Sequence, residues 1–272
     1  IAVTEWGSPD GEPIIALHGW LDNMASYYPL MMHSDWLKQN NLRFIAYDQP
    51  GHGHSQHRHF SHPYNLLEYV QDLHDIAGAL QLDKFSLLGH SLGAGVATIF
   101  AGTFPDKVSN LLLIEGIGPQ TQIEKEGPVQ LAKSIQQRNR HYNRDNQYYE
   151  ELNLIIKARA KASDLDEQNT TLLVERNMIK TELGYHWRSD PRLRLPTAIY
   201  LTPEQVRVFI KNLSMPALLI YGKSGFVHKY PEIKTRIAES ENLQILELEG
   251  GHHLHMQYPE LVSDAIQEFL KA

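Results

Sequence analysis

Gly89-His90-Ser91-Leu92-Gly93 is the stretch from which the fold is read. Lys84-Phe85-Ser86-Leu87-Leu88 before it is a short, mostly apolar run of strand length. Ala94-Gly95-Val96-Ala97-Thr98-Ile99-Phe100-Ala101 after it has the character of a buried helix. Strand, G-x-S-x-G, helix is the context in which a serine sits on a sharp turn with its hydroxyl clear of the sheet. The chain reverses so tightly there that a Cβ at either flanking glycine would collide with the neighbouring strand or helix. The Ser91 hydroxyl then lies near the positive end of the helix that follows. On this reading Ser91 is a nucleophile; the alternative is a glycine-rich turn of purely structural use.

Working outward, apolar runs of buried-strand length recur at residues 13–17, 108–114 and 217–222, and further strands are read at 42–47 and 243–248. Helical patterns separate them at 27–39, 65–80, 231–239 and 259–271, the second with Asn65 as cap and Leu66, Tyr69, Val70, Leu73, Ile76, Ala77 and Leu80 on one stripe. Such alternation predicts a mostly parallel central sheet flanked by helices on both faces. From 119 to 213 the alternation breaks. Residues 131–139, 148–162 and 165–183 read as helices, no β-rich run intervenes before Ala198-Ile199-Tyr200-Leu201, and Thr202-Pro203-Glu204 opens another helix. The expected organisation is a core of residues 1–118 and 214–272 with an inserted helical cap at 119–213.

The chain has 272 residues, 42% hydrophobic and 21% charged, which suits one large domain carrying an insertion. A net charge of -7 argues against nucleic acid or an anionic membrane as partner. No apolar run approaches the ~20 residues that span a bilayer. With no cysteine, disulfides, thiolate metal sites and a Cys nucleophile are excluded. No signal peptide is legible in the residues given, which open at Ile1, and a cytoplasmic location is expected. The oligomeric state is not legible.

An unassisted serine hydroxyl is a poor nucleophile near neutral pH, so Ser91 needs a base. In an open α/β sheet, sites form beyond the carboxyl ends of the strands, which confines the search to the loops that follow them. One such loop holds His252, His253 and His255. His252, directly after Gly250-Gly251, is the favoured base, His253 the alternative, and His255 a wall or cap contact. The third member must be a carboxylate that fixes the imidazole tautomer and stabilises its cation. The loop after Tyr221, where this architecture usually holds it, reads Gly222-Lys223-Ser224-Gly225-Phe226-Val227 and has none. Glu115, at the end of the apolar run Leu111-Leu112-Leu113-Ile114, is the replacement, because a carboxylate there demands a partner. A structural cap of loop amides, or a Ser-His dyad, is the competing reading. Transition-state charge needs amide donors, and the N–H groups of Leu92 and Trp20 are expected to supply them. His18, Trp20 and His90 are expected against the substrate. The run His52, His54, His57, His59, His62 contains no acid and matches no closed zinc site, so it reads as a loop; no metal or other cofactor is expected.

These residues together resemble the α/β-hydrolase superfamily over essentially the whole chain. His18-Gly19 with Asn23 is similar to its oxyanion loop, Asp48-Gln49-Pro50-Gly51-His52-Gly53-His54-Ser55 to its D-x-P-G-x-G-x-S loop, and Gly250-Gly251-His252 followed by Pro259 to its histidine loop. More narrowly, Ile114-Glu115-Gly116-Ile117-Gly118-Pro119, Asp190-Pro191-Arg192-Leu193 and Leu201-Thr202-Pro203-Glu204-Gln205-Val206 resemble the serine hydrolase-like group. The resemblance implies an α/β-hydrolase fold and cofactor-free cleavage of a small-molecule ester or thioester. Some members carry the acid after the strand that ends here at Ile114, which also points to Glu115. C–C bond hydrolysis or acyl transfer with the same three residues, and ligand binding on an inactive scaffold, are the alternatives. Tyr148, Tyr149, Tyr185 and Trp187 are expected either as an apolar lid or as cap core.

Overall fold

The computed structural model describes residues 1–33, 35–141, 147–163, 165–240 and 242–271. Ser34 of the expected 27–39 helix, and residues 142–146 and 164 of the expected cap, lie outside them. The strands are Val3–Gly7 (β1), Glu12–Leu17 (β2), Leu42–Tyr47 (β3), Phe85–His90 (β4), Val108–Ile114 (β5), Met178–Thr181 (β6), Gly184–Trp187 (β7), Ala217–Gly222 (β8) and Leu243–Leu248 (β9). Among the described residues β6 and β7 form a hairpin and the others one seven-stranded sheet in the order β1-β3-β2-β4-β5-β8-β9. Every neighbouring pair is parallel except β1 against β3.

The helices are Tyr28–Met32 (α1), Trp36–Gln39 (α2), Leu66–Ala79 (α3), Leu92–Thr103 (α4), Gly127–His141 (α5), Leu152–Ser163 (α6), Glu167–Asn177 (α7), Pro203–Lys211 (α8), Pro231–Ala238 (α9), Leu254–Gln257 (α10) and Pro259–Lys271 (α11). Asn65 caps α3 by accepting from the Glu68 N–H at 3.1 Å, and Thr202 with Gln205 closes a capping box on α8. Because strand side chains alternate, Ile15 and Leu17 of β2 face a core built with Leu73 of α3 and Phe100 of α4. Ile14 and Ala16 face the opposite core, with Trp36 and Ile266. Both sheet faces are therefore apolar, as the continuous runs require. Helix α8 packs on α4 with Val206 and Ile210 in the first of these cores.

Three stretches differ from the sequence expectation. Residues 27–39 are not one helix: a 3-10 turn at Met24–Tyr27 gives way to α1, and α2 starts only at Trp36. Asn23 starts that turn by accepting from the Ala25 N–H, and Pro29 fixes α1 as a separate start. Residues 165–183 are helical only to Asn177. Met178–Thr181 is a strand that reverses through Gly184, whose φ of +112° suits glycine and whose Cβ would lie 2.5 Å from the Tyr149 carbonyl oxygen. Residues 198–201 are irregular rather than β.

The stretch between β5 and β8 is tied to the strand ends by polar contacts. Arg176 of α7 forms a two-toothed ion pair with Asp48, and Arg159 of α6 reaches Asp22 at 2.7 Å. Asn23 donates to the Leu173 carbonyl at 2.9 Å. Asp48 also accepts from the N–H groups of Met24 and His54, and a Cβ at Gly53 would meet its carboxylate. Burial pushes the Asp48 carboxyl up, but the Arg176 hydrogen bonds, the field of His18 and the Met24 amide outweigh it and leave it below its usual value. Asp48→Ala leaves a partly buried guanidinium without its carboxylate and strands two amides, so a loss of about 2–4 kcal/mol is expected in denaturant unfolding. The stabilisation that Asp48 contributes is present above its unfolded pKa. It is lost as pH falls through the lower folded value, so the deficit of the variant should shrink in acid.

Candidate active site

Strand β4 delivers Ser91 to the carboxyl rim, and the turn is as tight as the glycines suggest. A Cβ at Gly89 would lie 2.4 Å from the Gly93 carbonyl oxygen, and one at Gly93 2.0 Å from that of Leu17. Ser91 itself has φ +53° and ψ -111°, a strained conformation for a residue with a side chain. Its own N–H donates to the Ile114 carbonyl at 3.0 Å, which fixes the turn against the end of β5. Leu92 is the first residue of α4. Among the described residues neither the Leu92 nor the Trp20 backbone N–H donates a hydrogen bond.

Glu115 follows β5 on the same rim, with φ +60° and its side chain buried. One oxygen, Oε1, accepts from the Gly222 N–H at 2.7 Å, and Oε2 accepts from the Phe226 N–H at 2.5 Å. Oε2 also lies 3.3 Å from Nδ1 of His252. Burial raises the Glu115 carboxyl above its usual value, and the two amides, which favour the ionised form, oppose that rise. Gly225 explains the missing acid: a Cβ there would lie 1.9 Å from Glu115 Oε1 and 2.4 Å from its Cδ. The carboxylate thus fills the space that a side chain at 225 would need.

His252 is mostly buried, its ring stacked on Phe226 with centroids 3.7 Å apart. Because a carboxylate accepts, Nδ1 carries the hydrogen and Nε2 presents its lone pair. Burial, followed by the field of His253, pushes the imidazole down to about 3. The ring therefore rests neutral, the form a proton acceptor requires.

The other expected residues divide. The Trp20 ring is 53% exposed and donates from Nε1 to the Leu193 carbonyl at 2.9 Å, so it lies at the surface rather than in the core. His18 is fully buried: Nε2 accepts from the Gln49 N–H at 2.9 Å, and Nδ1 lies 2.8 Å from the Gly19 carbonyl oxygen. Its ring holds the Gly19 and Gln49 loops together. His90 is also fully buried and faces inward, its Nε2 2.8 Å from the His252 carbonyl oxygen. Of the histidine run, His52 is buried beside His18 and accepts the Leu21 N–H, while His57 bonds the Arg188 carbonyl. Tyr149, Tyr185 and Trp187 pack with Ile155, Ile156, Val174 and Met178 in a small apolar cluster of the stretch between β5 and β8; Tyr148 is exposed.

Sequence reasoning passed over Asp22 and Phe226. Asp22 is buried and lies 3.1 Å from Nε2 of His253, while Arg159 holds its other oxygen. The available signal was an acid in the same loop as His18 and Trp20, after a buried strand.

The family model of the alpha/beta hydrolase fold matches residues 12–259. The chain belongs to the alpha/beta hydrolase family. This alpha/beta hydrolase is 31% identical to the serine hydrolase-like protein of Danio rerio over 98% of its own length and 83% of that protein's. It is 29% identical to the serine hydrolase-like protein 2 of Homo sapiens, covering 100% of this chain and 90% of the relative. A crystal structure of a hypothetical protein from Pseudomonas aeruginosa PAO1 superposes with a TM-score of 0.93 at 32% identity, over 99% of this chain and 95% of that one. The resemblance read from the motifs is thereby borne out, for the fold and for the serine hydrolase-like relatives. Among the described residues no helix is long and apolar enough to cross a membrane.

Proposed function

We propose that the chain cleaves a carboxylic ester or thioester of a small molecule through an acyl-enzyme on Ser91. The observation that carries this reading is the Glu115 carboxylate, fixed by amides at 2.7 and 2.5 Å and set 3.3 Å from Nδ1 of a neutral His252. Ser91 Oγ attacks the acyl carbon as His252 Nε2 takes its proton, and Glu115 stabilises the imidazolium. The Trp20 and Leu92 amides, which have no other acceptor among the described residues, hold the oxyanion. The imidazolium then gives its proton to the leaving alkoxide or thiolate. Water, deprotonated by His252, attacks the acyl-enzyme, and the carboxylic acid leaves with Ser91 reprotonated. The stretch between β5 and β8 acts as a cap that sets substrate size.

Intact-mass detection of a fluorophosphonate adduct tests the assignment. Stoichiometric labelling of the wild type, none on Ser91→Ala and much slower labelling of Glu115→Gln is the expected pattern. Labelling unaffected by Glu115→Gln points to a Ser-His dyad, and no labelling of folded wild type removes the hydrolase reading. The pH profile is a second check. Protonation of His252 abolishes its function as base, and its lowered pKa moves that loss to lower pH. The acid limb of kcat/KM should therefore fall below pH 6.5, the usual imidazole value.

A further inference from the structure

Behind the proposed triad lies a buried polar cluster that the hydrolytic reading does not use. Asp22 comes from the loop after β2, His90 from the end of β4 and His253 from the loop after β9; all three are nearly inaccessible to solvent. The tautomer of His90 is fixed by its neighbour. A carbonyl oxygen only accepts, so the 2.8 Å contact with the His252 carbonyl places the hydrogen on His90 Nε2. Nδ1 is then a lone pair, and it lies 3.7 Å from Asp22 Oδ2, another acceptor. Asp22 Oδ2 already accepts from Nε2 of His253, but Nδ1 of His90 faces it as a second buried acceptor and has no hydrogen-bond partner among the described residues.

A cation between them supplies one. His253 Nε2 lies 3.1 Å from the same Asp22 oxygen, and the three donor atoms are all within 4.8 Å of one another. Zinc–nitrogen and zinc–oxygen bonds of about 2.0–2.1 Å imply tetrahedral edges of about 3.3–3.4 Å. The two edges that include Asp22 bracket that length. We propose that Asp22 Oδ2, His90 Nδ1 and His253 Nε2 bind one divalent transition-metal ion of the zinc type, as a staple. His253 ligates by moving its hydrogen from Nε2 to Nδ1, which is buried without a partner among the described residues. Arg159 already donates to Oδ1, leaving Oδ2 to the ion, in the manner of an outer hydrogen bond that orients a ligating carboxylate. His, His and carboxylate with a fourth position for water suit zinc or cobalt better than calcium or magnesium.

The ion would join three segments that carry the Trp20 amide, the Ser91 turn and the His252 ring, so its effect is rigidity rather than chemistry. The donor set shares no residue with the His52–His62 run, and the inference stands apart from the reaction assigned to Ser91. The test uses metal-stripped full chain equilibrated with Co²⁺ and, separately, with Zn²⁺. It reads metal per chain, the visible absorption of cobalt and the melting temperature. One ion per chain with the intense spectrum of tetrahedral cobalt is expected, and zinc should raise Tm. His253→Gln should weaken binding by about 100-fold or more. A variant with His57, His59 and His62 all changed to Gln should bind as wild type does. If His253→Gln fails to fold, Asp22→Asn takes its place with the same expected loss. Binding that survives the folded substitution, binding lost with the surface histidines instead, or no stoichiometric uptake by folded wild type at millimolar metal each overturns the site.

Discussion

Ser91→Ala is expected to lower kcat for an activated ester by about 10⁴- to 10⁶-fold with little change in KM. The hydroxyl is the atom that forms the acyl bond, and neither neighbour in the turn can take over. Residues 90 and 92 are histidine and leucine, and the chain has no cysteine. Residual rate over water comes from the Trp20 and Leu92 amides, which still polarise a bound carbonyl. The fold should be indifferent, because Ser91 Oγ caps nothing at the start of α4. Ser91→Gly sharpens the point. With φ +53° at this position, glycine removes a backbone strain that alanine retains, so Ser91→Gly should be equally inactive yet more stable than Ser91→Ala by about 1 kcal/mol. Steady-state kinetics and urea unfolding of the two variants read both effects. Activity in either above one part in a hundred of the wild type would place the nucleophile elsewhere.

Much of this architecture is written locally. Runs such as Leu111-Leu112-Leu113-Ile114 and Leu218-Leu219-Ile220 can only be satisfied in a sheet covered on both sides, and both are buried there. The loops at their carboxyl ends come with them, which is why Ser91 and the candidates Glu115 and His252, with His253 as the alternative base, could be proposed from the sequence. The hairpin at Met178–Thr181 was not, because the four residues Met-Ile-Lys-Thr after a helix look the same as one more helical turn. Burial of polar groups was equally hidden. His18 and His90 read as substrate contacts from their place on the rim, yet both rings turn inward to bond loop carbonyls or amides. Asp22 carries no local sign that it meets Arg159, 137 residues away. Such pairings are set by how loops from different strands converge, which hydrophobic periodicity does not encode.

Glu115 and Gly225 are reciprocal, and exchanging them gives the sharpest test of where the acid belongs. Glu115→Gly deletes the carboxylate without backbone penalty, since its φ of +60° already favours glycine. Fluorophosphonate labelling should slow by about 10³- to 10⁴-fold, the scale set when an imidazole loses its orienting acid. Gly225→Asp alone should be severely destabilised. Its Cβ would lie 1.9 Å from Glu115 Oε1, and a second carboxylate would be buried against the first. Combined, the two changes remove each other's defect: the space that Glu115 vacates receives the new side chain, and its carboxylate enters the region beside the Gly222 and Phe226 amides and His252 Nδ1. The double variant should therefore fold better than Gly225→Asp and label at least 10-fold faster than Glu115→Gly. A folded double variant no faster than Glu115→Gly would mean that position 225 cannot present an acid to His252, and that Glu115 fills this space without standing in for one. Recovery would mean that the acid is defined by a point in space that two strand ends can reach, and that Gly225 is glycine because Glu115 reaches it first.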